Sequence, residues 1–127
     1  MRFDTYVIFG GCGFIGSHTA NLLRSRYPDA KIVIADLLAD GSALSQRVDV
    51  RNPISLQGEF GKSTLIFNFA AIHRTPGHPD HAYFETNIRG AENVCEFARK
   101  HNIENIVFTS SIAPYGAAED LKSEDTL

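Results

Sequence analysis

Three glycines and one acid carry most of the readable chemistry in this chain of 127 residues. Gly10, Gly13 and Gly16 recur at every third position of Gly10-Gly11-Cys12-Gly13-Phe14-Ile15-Gly16. Between a strand and a helix, such spacing gives a tight turn at Gly10 and close helix packing at Gly16. At Gly13 it removes a Cβ that would hold a diphosphate away from the backbone. The helix that opens at Phe14 and Ile15 then offers unpaired N–H groups and a positive dipole end to the phosphates. Asp36 lies at the end of the next apolar run, where a carboxylate accepts hydrogen bonds from the ribose hydroxyls of an adenosine. A phosphate on that ribose would be repelled, and Leu37-Leu38 bring no arginine, so NAD is expected over NADP. A glycine triplet alone also fits a plain strand-to-helix turn; Asp36 is what argues for a dinucleotide. Gly61-Lys62-Ser63 lacks the upstream glycines of a P-loop and reads as a polar turn.

The elements that must hold these residues are visible as alternating patterns. Thr5–Phe9, Lys31–Ala35, Thr64–Phe69 and Asn105–Thr109 are nearly continuous apolar or β-favouring runs, as suits strands covered on both faces. Gln46–Asp49 is a weaker fifth candidate. A helix is predicted over Phe14–Arg26, with Ile15, Thr19, Leu22 and Leu23 on one face and Pro28 blocking its continuation. A second is predicted over Asp80–His101, with a stripe of Phe84, Ile88, Ala91, Cys95 and Ala98 widened by Tyr83, Val94 and Phe97. Strands alternating with helices imply an α/β, Rossmann-like, doubly wound parallel sheet of about five strands, one domain spanning residues 1–127.

Composition narrows the partners. Lys+Arg 12 against Asp+Glu 15 gives a net charge of −3, which leaves no basic excess for nucleic acid. Two cysteines, Cys12 and Cys95, make no disulfide scaffold, and no Cys/His cluster suggests a metal. Asp4 precedes the first apolar run and Gly10-Gly11 ends it, so neither a signal peptide nor a membrane span is read there, and a cytoplasmic protein is expected.

Gly-Gly-Cys-Gly-Phe-Ile-Gly-Ser-His resembles the opening of the extended short-chain dehydrogenase/reductase family, whose members include NAD-dependent sugar-nucleotide epimerases and dehydratases. Four later segments match in order. Asp49-Val50-Arg51 resembles the pair whose carboxylate meets the adenine amine. Phe69-Ala70-Ala71 resembles the His-x-Ala-Ala stretch beside the cofactor, with Asn68 and Phe69 in the His-x places, and His73 falls where a polar residue often approaches the diphosphate and ribose. Asn87-Ile88-Arg89-Gly90-Ala91-Glu92-Asn93-Val94 is similar to the family's Asn-x-x-Gly helix, and Phe108–Gly116 to its Ser-Ser-x-x-x-Tyr-Gly segment. The resemblance makes Ser111 the catalytic serine and Thr109 a cofactor neighbour. Read from the residues alone, Asn87 and Asn93 also suit solvent-facing positions, His73 an exposed loop, Tyr115 a ring packing its turn, and Cys12 an inert filler.

In that family a Tyr-x-x-x-Lys pair, one helical turn apart, moves the proton while the serine holds the reacting oxygen. The pattern occurs here only at Tyr27-Pro28-Asp29-Ala30-Lys31, where Pro28 forbids the shared helical face. The expectation is therefore an N-terminal part of an NAD-dependent epimerase or dehydratase for a sugar or sugar nucleotide, an incomplete NAD-binding domain without its substrate lobe, stopping before the Tyr helix and inactive alone. The alternatives are a non-catalytic NAD(P)-binding sensor and, more remotely, an apo structural subunit. The apolar breadth of the 80–101 helix predicts a homodimer through that helix.

Overall fold

A computed structural model describes residues 2–73, 77–116 and 121–125. Five strands, β1 (Thr5–Phe9), β2 (Lys31–Asp36), β3 (Ser45–Arg47), β4 (Thr64–Asn68) and β5 (Asn105–Phe108), form one sheet in the order β3-β2-β1-β4-β5. Every pairing is parallel, with Thr5 of β1 level with Lys31 on one side and Thr64 on the other. The apolar runs therefore become strands, and the weak fifth run becomes the short β3, with Val48 and Asp49 just past its end.

All five residues of β1 are buried, because both faces of the sheet are covered there. Val7 and Phe9 point into a cluster with Val33, Val48, Ile66, Val94 and Phe97. Tyr6 and Ile8 point the other way, toward Ala20, Leu23, Ile32 and Ile34. This period of two along one strand places helix α1 (Phe14–Arg26) on one face and helix α3 (Gly90–Lys100) on the other, so the sheet is doubly wound.

Two helix faces differ from the sequence expectation. Helix α1 buries Gly16, Ala20 and Leu23, while Ile15 and Leu22 stay exposed. Gly16 fits the helix against the glycine loop while Ala20 and Leu23 pack on the sheet, which turns Ile15 and Leu22 outward. Tyr27, just beyond α1, stacks on Tyr6 at 5.6 Å, so the Tyr27/Lys31 pattern spans a helix end and a strand start.

The 80–101 helix is not one continuous α-helix. It runs as α2 (Asp80–Tyr83), a π-helical segment (Phe84–Arg89) and α3. The buried residues of α3 are Gly90, Val94, Phe97 and Ala98, whereas Phe84 and Ile88, placed on the predicted stripe, are exposed. The π segment changes the register between the two halves, so the upstream residues no longer share the core-facing side.

Candidate functional site

A cleft of about 360 Å³ opens where the carboxyl ends of β1, β2, β3 and β4 converge. That is the position at which open α/β sheets hold ligands. Its walls include Gly10 and Gly13, Asp36 and Leu37, Val48 to Arg51, and Phe69 to Ile72, with Ala82 and Thr86 closing one side.

The glycine loop is built by backbone contacts that no side chain would permit. Gly10 has φ +74°, and a Cβ there would stand 2.8 Å from the backbone of Phe69 and Ala70. Its N–H donates to the Ala35 carbonyl at 2.9 Å, while Phe69 N–H donates to the Phe9 carbonyl at 3.0 Å, so the bend is held between β2 and β4. Gly16 faces the backbone of Gly10 and Gly11 at a separation that leaves no room for a methyl group. Its close neighbour is thus the loop rather than a strand. A Cβ on Gly13 would meet only the Gly10 carbonyl, at 3.3 Å, leaving its other side open. No side chain caps α1 and no acid stands in its first turn, so neither source occupies its leading N–H groups.

Asp36 is already engaged. Its Oδ2 accepts the Cys12 N–H and its Oδ1 the Leu38 N–H, both at 3.0 Å. The carboxylate therefore ties the glycine loop to the turn after β2 while lining the cleft. Partial burial, followed by the Asp36 and Asp40 carboxylates, raises the Cys12 thiol above its usual range and keeps it a poor nucleophile.

Asp49 lines the same cleft, but Arg51 holds its carboxylate. Arg51 Nε donates to Oδ1 at 2.9 Å and to Oδ2 at 3.1 Å, Nη2 donates to Oδ2 at 2.6 Å, and the Arg51 N–H donates to Oδ1 at 3.0 Å. These bonds keep the Asp49 carboxyl below the ordinary carboxylate range.

The other sequence candidates divide clearly. Val50, Phe69, Ala70 and Ala71 line the cleft with Gly10, Gly13, Asp36 and Asp49. Phe14 and Ile15 are exposed beside it, and His73 is an exposed loop residue. Asn87 points neither into solvent nor into the cleft. Its amide is spent on Ile72, accepting the N–H at 2.8 Å and donating to the carbonyl at 2.9 Å. Asn93, read as solvent-facing, instead donates to the Val50 carbonyl at 2.7 Å. Thr109 donates to the Asn68 carbonyl at 3.4 Å, and Ser111 Oγ accepts the Ala113 N–H at 3.1 Å, both after β5 and outside the cleft lining.

Arg51, His78, Ala82 and Thr86 line the cleft without having been singled out from sequence. Arg51 had a signal in its place two residues after Asp49. The helix residues had none, since nothing in their own spacing shows which side meets the β4 loop. No group of three or more metal-ligating side chains occurs among the described residues, and no described helix is long and apolar enough to cross a membrane.

Comparisons with known proteins agree with this geometry. The model of the NAD dependent epimerase/dehydratase family matches residues 6–127. An Escherichia coli O157:H7 protein, N-acetyl-alpha-D-glucosaminyl-diphospho-ditrans,octacis-undecaprenol 4-epimerase, is 30% identical over 115 residues, covering 89% of this chain and 34% of its own length. The UDP-glucose 4-epimerase of Lacticaseibacillus casei is 30% identical over 133 residues, covering 96% of this chain and 40% of its own. The crystal structure of the Thermus thermophilus UDP-glucose 4-epimerase complexed with NAD superposes with a TM-score of 0.74 at 26% identity, over 96% of this chain and 43% of that one. The chain thus spans well under half the length of each of these proteins.

Proposed function

Since the chain belongs to the NAD dependent epimerase/dehydratase family, we propose that its cleft holds the adenosine diphosphate half of NAD in an enzyme acting on a sugar nucleotide. The observation that carries this reading is the joining of Gly10, Gly13 and Asp36 in one cleft at the strand ends. The diphosphate lies against Gly10, Gly13 and the leading N–H groups at Phe14 and Ile15, with Gly16 allowing the helix to come that close. Asp36 accepts from the ribose hydroxyls, and Leu37, Val48 and Val50 flank the base near Asp49. Phe69, Ala70 and Ala71 form the wall on the way to the nicotinamide. Asn87 supports that wall through Ile72, and His73 and Thr109 stand beyond it. NAD would supply a hydride acceptor and donor at its nicotinamide ring.

Ser111 is the proposed catalytic residue. Its oxygen accepts from Ala113, which leaves its own proton to donate to a substrate oxygen. Purified residues 1–127 are expected to show no turnover of sugar nucleotides, because they contain no helical Tyr-x-x-x-Lys pair. Measured epimerisation or dehydration by them would overturn this.

Calorimetric titration tests the site. NAD should bind, NADP should bind more weakly, and Asp36→Ala should weaken NAD binding. Absence of NAD binding, or equal affinity for NADP, sinks the reading. We further infer that residues 1–127 are an incomplete cytoplasmic NAD-binding domain, without its substrate lobe, that pairs with a second copy through the 80–101 helix, where Phe84 and Ile88 are 64% and 53% accessible. A Phe84→Glu variant should then lower the mass seen by light scattering; a monomeric parent would refute the pairing.

A further inference from the structure

We propose that Arg51 is a positioning residue that makes Asp49 a reader of the purine 6-amino group, an inference that rests on the NAD reading of the cleft. A carboxylate offers about four acceptor positions, two on each oxygen. Arg51 fills both positions on Oδ1, with its N–H at 3.0 Å and Nε at 2.9 Å. On Oδ2 its Nη2 takes one at 2.6 Å, while the Nε contact at 3.1 Å is the second branch of a shared hydrogen. One Oδ2 position is left.

The fork does more than consume acceptors. A bidentate guanidinium–carboxylate pair fixes the carboxylate plane as well as its charge. The Asp49 side chain is 23% accessible and that of Arg51 46%, so the pair sits at the rim of the cleft with its aspartate turned inward. Leu37, Val48 and Val50 line the approach and offer a flat ring no side-chain hydrogen bond. The acceptor at this end of the cleft is then one oriented, ionised oxygen, held beside the Arg51 guanidinium. It accepts an N–H donor and repels a carbonyl oxygen, which separates adenine from its 6-oxo counterpart. Without the fork, the carboxylate rotates, regains acceptor positions, and meets water as readily as it meets the base.

The experiment titrates the protein with NAD and with nicotinamide hypoxanthine dinucleotide, which carries a 6-oxo group in place of the amine. The parent should favour NAD by roughly ten- to a hundredfold, the range of one hydrogen bond to a charged group. Arg51→Gln should bind both dinucleotides with that ratio collapsed to about twofold or less, and Asp49→Asn should lose it as well. Asp36→Ala, which acts on the ribose, should weaken both dinucleotides and keep their ratio. A parent that binds both equally, or an Arg51→Gln variant with an unchanged ratio, overturns the inference and leaves the NAD reading standing. Tighter NAD binding by Arg51→Gln would also overturn it, because Arg51 would then be a competitor for Asp49. A parent that binds neither dinucleotide removes the NAD reading itself.

Discussion

Strands β1 and β5 read alike in sequence, Thr-Tyr-Val-Ile-Phe against Asn-Ile-Val-Phe, yet the structure treats them differently. Every β1 side chain is buried, with Val7, Ile8 and Phe9 at 0% accessibility. In β5, Ile106, Val107 and Phe108 are 39%, 42% and 62% accessible, on a strand whose partner among the described residues is β4. An apolar run thus signals a strand, but its coverage depends on which neighbours and helices the topology brings. The cleft rests on the covered end of the sheet, around β1 and β2. Ser111 and Thr109 follow the strand that is half open.

The sharpest way to break this contrast is truncation on each side of it. Phe9→Ala should cost about 3–5 kcal/mol in urea unfolding, and Phe108→Ala less than about 1 kcal/mol. Similar losses would show that β5 is as well packed as β1. A second pair sharpens the comparison at the loops. Both Gly10 and Gly116 have positive φ, +74° and +80°, but a Cβ on Gly116 meets nothing within 4 Å. Gly116, at φ +80° and ψ 175°, sits in a region open to almost no residue but glycine, so Gly116→Ala should cost about 1–3 kcal/mol of backbone strain alone. Gly10→Ala adds a collision with Phe69 and Ala70, so it should lose more stability and also NAD binding. Equal melting temperatures for the two variants would contradict the close approach.

Function gives a third contrast. Asp36→Ala should reduce NAD affinity by roughly ten- to a hundredfold, while Ser111→Ala should leave it unchanged in the same titration. An affinity loss at Ser111 would move the cofactor site toward β5. The smallest effect expected is on pH. Arg51 lowers the folded-state Asp49 pKa, so the pair's stabilisation is present above the unfolded carboxyl's ordinary range and disappears as pH falls through the lowered folded value. The melting-temperature gap between the parent and Arg51→Gln should accordingly close in acid, and shrink with salt because both partners are partly exposed.

How far the sequence reaches follows from the range of the forces involved. The five strands, the glycine bend and Asp36 are written locally, in apolar runs and fixed spacing. The buried face of α1 is only partly so: the glycine spacing marks Gly16, but apolar periodicity favours Ile15 and Leu22 and passes over Ala20. Asn87 and Asn93 look like ordinary helix-surface amides until the fold brings Ile72 and Val50 within 3 Å of them. The roles of Ala82 and Thr86 in the cleft wall are set by tertiary contact across the sheet top, and no motif announces them. Arg51 stands beside a recognised acid, but the fork it makes with Asp49 is a geometry that adjacency alone does not disclose.

The π-helical turn at Phe84–Arg89 separates two histories within one rod. A wide turn holds one residue more than a regular one, so deleting a single residue there would restore an ordinary helix and swing everything upstream by about 100°. Val94 and Phe97 would keep their seats, while Ala82 and Thr86 would be carried off the cleft wall. Gain or loss of one residue there would thus re-aim the cleft-facing end of this helix without disturbing the end that anchors it.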